Sequence, residues 1–193
     1  DLTVAAGVAR GLVDLGVARG AGRDALLLSA GIDAAELLDQ DARIPLERYV
    51  ALMRAAEELC ADPAFALHFG ETVDMSQMSI VGYLDHGVET VGDVFGMINR
   101  YASLVVETGD PGPRLRVERR DREVWIIDTR SNPNAFHELT ESTFARMVCS
   151  ARRMAGERGQ LKEVHVTHAA PPYRAEYERA GRLRILDFGL ARL

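Results

Sequence analysis

Leu115-Arg-Val-Glu-Arg-Arg-Asp-Arg-Glu-Val-Trp-Ile-Ile-Asp128 decides the fold class. Leu115-Arg-Val-Glu and Val124-Trp-Ile-Ile-Asp are β-rich runs, and Arg119-Arg-Asp-Arg-Glu123 between them is polar, which together predict a hairpin. Thr108-Gly-Asp-Pro-Gly-Pro113 ahead of it is a dense turn signal, and Asn132-Pro133 is expected to end the second strand. Downstream, a long helix is expected from Ala135 to about Ala155, with Leu139, Phe144, Met147, Val148 and Ala151 facing inward. Lys162 to Thr167 alternates as a strand, Pro172 to Ala180 reads as a short helix, and Leu183 to Leu186 as a last strand.

Upstream, the first seventy or so residues read as helices punctuated by glycine. Val8, Leu12, Val13 and Leu15 mark an amphipathic helix that stops near Gly16. Asp24 to Ala30 reads as a short helix with Gly31 just past its end. Pro45 is placed at the first position of a helix running to Cys60, where its missing N–H is harmless. Leu46, Tyr49, Val50, Met53, Ala56 and Leu59 give that helix one apolar face. Asp62-Pro63 is expected to open another helix in the same way, carrying Phe65, Leu67 and Phe69, with Gly70 near its end. Val73 to Gly82 reads as a buried connection. A further helix follows from Thr90, with Val91, Val94, Phe95, Ile98, Tyr101 and Leu104 on one side. The order is therefore α+β: N-terminal helices, then a small, mostly antiparallel sheet (the hairpin plus two later strands) packed with long helices. We expect one domain over residues 1–193, with a helical part over about 1–72 and an α+β part over about 73–193.

The 193 residues are 47% hydrophobic and 27% charged, ordinary for a soluble globular chain. Asp14 interrupts the only apolar stretch near the start, so neither a secretory signal nor a membrane span is expected, and the protein is expected to be cytoplasmic. The net charge is −6. A domain that grips DNA by itself usually carries a basic face, so these residues are not expected to bind nucleic acid directly. Cys60 and Cys149 lie far apart in apolar helical contexts and read as reduced thiols.

Few residues suggest chemistry. Ile185-Leu-Asp-Phe-Gly-Leu-Ala-Arg192 copies the magnesium-binding loop of protein kinases letter for letter. Yet the chain has no G-x-G-x-x-G, V-A-I-K or H-R-D to accompany it, and a plain strand and turn is the expected reading. His165 and His168, three apart on a predicted strand, would point to opposite faces, which does not suit a shared metal. His68, His86 and His137 have no ligand partner at metal spacing, so no metal and no cofactor is expected. Ser76, Ser79 and Ser103 lack an evident base. Glu57-Glu58, Glu138 and Glu141 read as solvated charges on exposed helix faces. No catalytic set emerges, and no enzyme is expected.

What remains is a binding signal: aromatic and Met side chains from several segments around the hairpin, the materials of an apolar ligand pocket. The candidate effector-binding residues are Met75, Tyr83, Tyr101, Trp125, His137, Phe144 and Met147, although a buried aromatic is more often simply core. Trp125, the sole tryptophan, is the best single candidate because its indole N–H needs a partner.

Several segments resemble one family in order and spacing. Gly31-Ile-Asp-Ala-Ala-Glu-Leu-Leu, Asp41-Ala-Arg-Ile-Pro-Leu and Ala61-Asp-Pro-Ala-Phe-Ala-Leu-His-Phe-Gly70 resemble the N-terminal, arabinose-binding-like domain of AraC-type transcription regulators. Gly82-Tyr-Leu, the helices from Thr90 and Glu141, and Val164-x-x-x-His168-x-x-Pro171 followed by Tyr177 extend the likeness. The family's usual Phe-Gly before the last strand is replaced here by Ala180-Gly181, and Ile185 stands where that strand carries an aromatic. The resemblance implies a domain that binds a small-molecule effector and forms a homodimer. DNA would be read by two helix-turn-helix units following Leu193. Pocket residues in such regulators vary with the effector, so the resemblance assigns no site residue. A pure oligomerisation module with no effector is the alternative.

Overall fold

The computed structural model describes residues 2–74, 78, 91–110, 112–121, 123–155, 163–181, 183–185 and 190–192. They confirm an α+β chain, divided into two compact units: Asp1–Phe65 with Val73–Pro111, and Ala66–Thr72 with Gly112–Leu193.

The first unit opens with strand β1 (Thr3–Ala5), which runs straight into helix α1 (Ala6–Ala18). Helix α2 (Arg23–Ala30) ends at Gly31, whose φ of 63° is the left-handed conformation that lets a glycine close a helix. A 3₁₀ turn (Ala34–Leu37) follows, held by a capping box: Asp33 Oδ1 accepts from the Ala35 amide at 2.8 Å while Glu36 Oε2 accepts from the Asp33 amide at 2.8 Å. Strand β2 (Arg43–Pro45) pairs antiparallel with β1, Val4 opposite Ile44, both fully buried. Pro45 therefore ends a strand rather than beginning a helix. Pairing with Thr3 and the Leu46 amide bond to the Leu2 carbonyl (2.8 Å) hold it extended, and α3 (Leu46–Leu59) starts one residue later. Of the apolar face predicted for α3, Tyr49, Met53 and Ala56 are buried, Leu46 and Val50 are half-buried and Leu59 is exposed, while Leu52, outside the predicted face, is buried. α3 is broken from α4 (Phe65–Thr72) by Ala61, which takes a positive φ of 49°. The Asp62-Pro63 signal is thus a turn before the helix, Asp62 Oδ1 accepting from Ala64 N at 3.1 Å. Helix α5 (Val91–Val105) completes the first unit, and Arg43 ties its end to β1 by donating to the Thr3 and Ser103 carbonyls at 3.2 and 3.1 Å.

The second unit is built on a five-stranded sheet. Strands β3 (Leu115–Arg120) and β4 (Glu123–Asp128) form the predicted hairpin, Val117 opposite Ile126, with the turn at Asp121 (φ 55°). Helix α6 (His137–Ala155), strand β5 (Glu163–Val166), helix α7 (Arg174–Gly181), and strands β6 (Leu183–Ile185) and β7 (Leu190–Arg192) follow. The strand order is β3-β4-β7-β5-β6. β7 runs antiparallel to both β4 and β5, whereas β5 and β6 are parallel, with α7 as the crossover between them. The expectation of two strands after the hairpin is therefore one short. β7 comes from the tail of the kinase-like stretch, and three residues are too few to show an alternation. The hairpin's second strand also ends at Asp128, four residues before the Asn132-Pro133 signal.

The segment around α4 belongs to this second unit, and its seat is Gly70. A Cβ there would lie 2.2 Å from the Ser142 carbonyl oxygen and 2.9 Å from Ala145 Cβ on α6. Backbone cannot yield as a side-chain tip can. Gly70→Ala gains about 1 kcal/mol of helix propensity, but parting the two helices costs more, since overpacking runs to about 1–3 kcal/mol. We expect a net loss of up to about 2 kcal/mol, read from chemical denaturation; a stabilised variant would refute the close approach.

Candidate functional site

Eight consecutive residues of α6, Glu138 to Ala145, are buried. A helix with one apolar stripe would bury only about half of such a run, so these turns of α6 are enclosed nearly all round. The expectation that Glu138 and Glu141 sit on exposed faces is overturned: they are 2% and 1% exposed. Buried polar groups must be partnered, and where they are shows what the helix holds in place.

On the side of α7, the Glu141 carboxylate accepts from Tyr173 Oη at 2.9 Å and from Tyr177 Oη in a short hydrogen bond. His168 Nε2 lies 3.6 Å from Glu141 Oε1 and 3.3 Å from Tyr177 Oη. The His137 ring centroid is 5.3 Å from that of His168, and His137 Nδ1 is 3.2 Å from Glu138 Oε2. Burial pushes the Glu141 carboxyl above its ordinary value, opposed by the hydroxyls of Tyr177 and Tyr173 and by the proximity of His137. Tyr177 is pushed up as well, by burial first and then by the adjacent carboxylate. β5 ends at Val166, so His165 and His168 do not share a strand: His165 stays in the sheet and His168 turns towards Glu141.

On the side of the hairpin, Arg114, Asp128 and Arg130 meet Thr140 and Thr143. Asp128 Oδ2 is 3.0 Å from Arg130 Nη2 and 3.5 Å from Arg114 Nη2. Arg114 Nη2 donates to Thr143 Oγ1 at 3.0 Å, and Arg130 Nη2 donates to Thr140 Oγ1 at 2.5 Å. The carboxylate and both guanidiniums are almost fully enclosed, with 4%, 11% and 5% of the Asp128, Arg114 and Arg130 side chains exposed.

Trp125 and Asp128 are three residues apart on β4 and so face opposite sides of the sheet. Trp125 therefore lies on the face turned away from α6, its ring edge-on to His165 at 5.3 Å and the Arg120 guanidinium 5.4 Å from its centroid. Of the other candidates, His137 joins the Glu141 cluster, Phe144 is a core residue at 1% exposure, and Met147 is half-buried further along α6. Tyr101 belongs to α5 in the first unit, with the Arg100 guanidinium 5.6 Å from its ring. Met75 and Tyr83 lie outside the described residues, as do Ser76, Ser79 and His86. No group of three or more His, Cys, Asp or Glu side chains among the described residues could hold a metal ion.

Residues 20–185 match the family described as the N-terminal arabinose-binding domain of AraC transcription regulators. The chain belongs to that family. No curated protein matches it. The matched residues take in parts of both units. The Glu141, His168, Tyr173 and Tyr177 cluster and the Arg114, Asp128 and Arg130 network both fall inside the match. Sequence reasoning passed over both networks. One signal was available: Leu139-Thr-Glu-Ser-Thr-Phe144 sets four polar residues in a row inside an otherwise apolar-faced helix, more than a single solvent face would need. Among the described residues, no helix of this arabinose-binding domain is long and apolar enough to cross a membrane.

Proposed function

We propose that this arabinose-binding domain is the sensing part of an AraC-type regulator. It binds a small-molecule effector without turning it over, forms a homodimer, and acts in the cytoplasm on DNA through helix-turn-helix units of the full protein. The family match carries this reading. The enclosed polar networks on α6 support it, because a helix that only had to pack would carry apolar residues at those positions. The acidic net charge of −6 fits a domain that leaves phosphate contacts to another part of the protein. For regulation, the effector must bind one arrangement of the protein better than another, since equal affinity shifts nothing.

The test is a thermal-unfolding screen against sugars including arabinose, amino acids, organic acids and nucleosides, with Trp125 fluorescence followed in parallel and dimerisation measured by sedimentation. A ligand at a hundred times its dissociation constant stabilises the fold by about 2.7 kcal/mol. We expect a saturable rise in midpoint with the compound recovered unchanged. A stable dimer that no compound affects would favour the oligomerisation module, and consumption of a hit would overturn the non-catalytic reading.

A further inference from the structure

Among the described residues, two guanidiniums share one carboxylate in the network between the hairpin and α6. Asp128 is the one carboxylate shared by Arg114 and Arg130, and Arg146, one turn beyond Thr143, adds to the positive potential at Arg114. Arg130 is well satisfied: its Nε lies 3.1 and 3.0 Å from the two Asp128 oxygens, and its Nη2 reaches Thr140. Arg114 is not. Its Nη2 makes the contact with Thr143, while its Nε is buried without any hydrogen-bond partner among the described residues. Burial lowers the Arg114 guanidinium to about 10, Asp128 offsetting part of the effect and Arg130 and Arg146 adding to it. It remains charged at neutral pH. An enclosed guanidinium that shares its counter-charge and has an idle donor is a costly arrangement unless something anionic completes it.

We propose that Arg114 anchors the carboxylate of an anionic small molecule, held between the hairpin and α6. Two features select a carboxylate. A guanidinium presents its donors in a planar fork that a carboxylate matches with two parallel hydrogen bonds. The Thr143 hydroxyl, which accepts from Arg114, keeps its own proton to donate to the second oxygen. Asp128 holds Arg130 by both oxygens and so disfavours a second, competing anion at that end. This inference rests on the effector-sensing reading and names the chemistry of the effector: it is an organic acid rather than a neutral sugar.

Sodium acetate is the probe, set against acetamide, sodium chloride at matched ionic strength, and inorganic phosphate, with the unfolding midpoint as readout. Acetate at ten times its dissociation constant should raise the midpoint by about 3–6 °C, saturably, with no such rise for acetamide or chloride. Arg114→Met should abolish the acetate response while leaving the midpoint of the unliganded protein equal or higher, because it removes an under-compensated buried charge. Arg114→Lys, which keeps the charge but not the fork, should weaken acetate by about tenfold or more. A wild-type protein that responds to acetate no more than to acetamide and chloride overturns the proposal whether or not either variant folds. A response to phosphate alone overturns the choice of carboxylate. If sugars or amines stabilise the domain in the wider screen while acetate does not, the anionic assignment fails and effector sensing survives; if nothing stabilises it, both fail.

Discussion

Replacing Phe144 with alanine is expected to destabilise the protein by about 3–5 kcal/mol. Phe144 is 1% exposed and lies in the fully buried stretch of α6, flanked in sequence by Thr143, which takes a hydrogen bond from Arg114, and Ala145, which would touch any side chain added at Gly70. Truncating the ring removes its transfer free energy and leaves a void between elements already pinned by those contacts, so collapse cannot recover the loss. For a chain of this size the midpoint should fall by roughly 6–20 °C. A domain's whole stability is only about 5–15 kcal/mol, so the variant should unfold under mild denaturant. The outcome also separates two roles for a residue singled out as a pocket candidate. A ring that lined an open cavity would cost little stability on truncation and would instead change ligand affinity. A loss under about 1 kcal/mol would therefore move Phe144 from the core to a binding wall.

The hairpin was legible from two β-rich runs around a polar loop, α2 from its closing glycine, and α1, α3 and α6 from apolar residues recurring at helical spacing. Boundaries shifted where a tertiary partner intervened. β1 drew Pro45 into a strand, and Ala61 adopted a left-handed turn that moved the start of α4 to Phe65. β7 was invisible at three residues, and its central place in the sheet depends on pairing with β4 and β5 far away in sequence. The site was less legible than the fold. Charge in a helix normally signals solvent, and nothing local announces that two tyrosine hydroxyls and a histidine will enclose Glu141. The aromatic residues that drew attention are spread between two units and both faces of one sheet. The polar networks, which drew none, are where the structure concentrates its buried charge. The three pieces of the family resemblance around Glu141, His168 and Tyr177 were visible as separate matches, and only the fold shows that they converge.

Substituting Glu141 should reveal what that convergence does. Burial raises the Glu141 carboxyl in the folded protein above its value in the unfolded chain. The protonated form is therefore the one the fold prefers. Its contribution to stability is fully present below the ordinary carboxylate range and is lost as the pH rises through the raised value. At neutral pH the carboxylate is a net strain on the fold, softened by the hydroxyls of Tyr177 and Tyr173. Glu141→Gln keeps an acceptor for those hydroxyls and cannot ionise. It should match the wild type in acid and exceed it towards neutrality, the gap widening across the carboxylate range and then levelling off at about 1.4 kcal/mol for each unit by which the native carboxyl is raised. Glu141→Leu removes the charge and the acceptor together. The Tyr177 hydroxyl keeps His168 Nε2 at 3.3 Å and its neighbour Tyr173, while that of Tyr173 loses both of its contacts to the carboxylate. With about 1–3 kcal/mol for a buried hydroxyl left short of a partner, Glu141→Leu should lose about 1–3 kcal/mol in acid, where it gains nothing from the missing charge. Denaturant midpoints of the three proteins between pH 4 and 8 decide the matter. Parallel curves for wild type and Glu141→Gln would mean that Glu141 is as well solvated as an ordinary surface carboxylate. A Glu141→Leu protein as stable as wild type in acid would mean that the tyrosines do not depend on it.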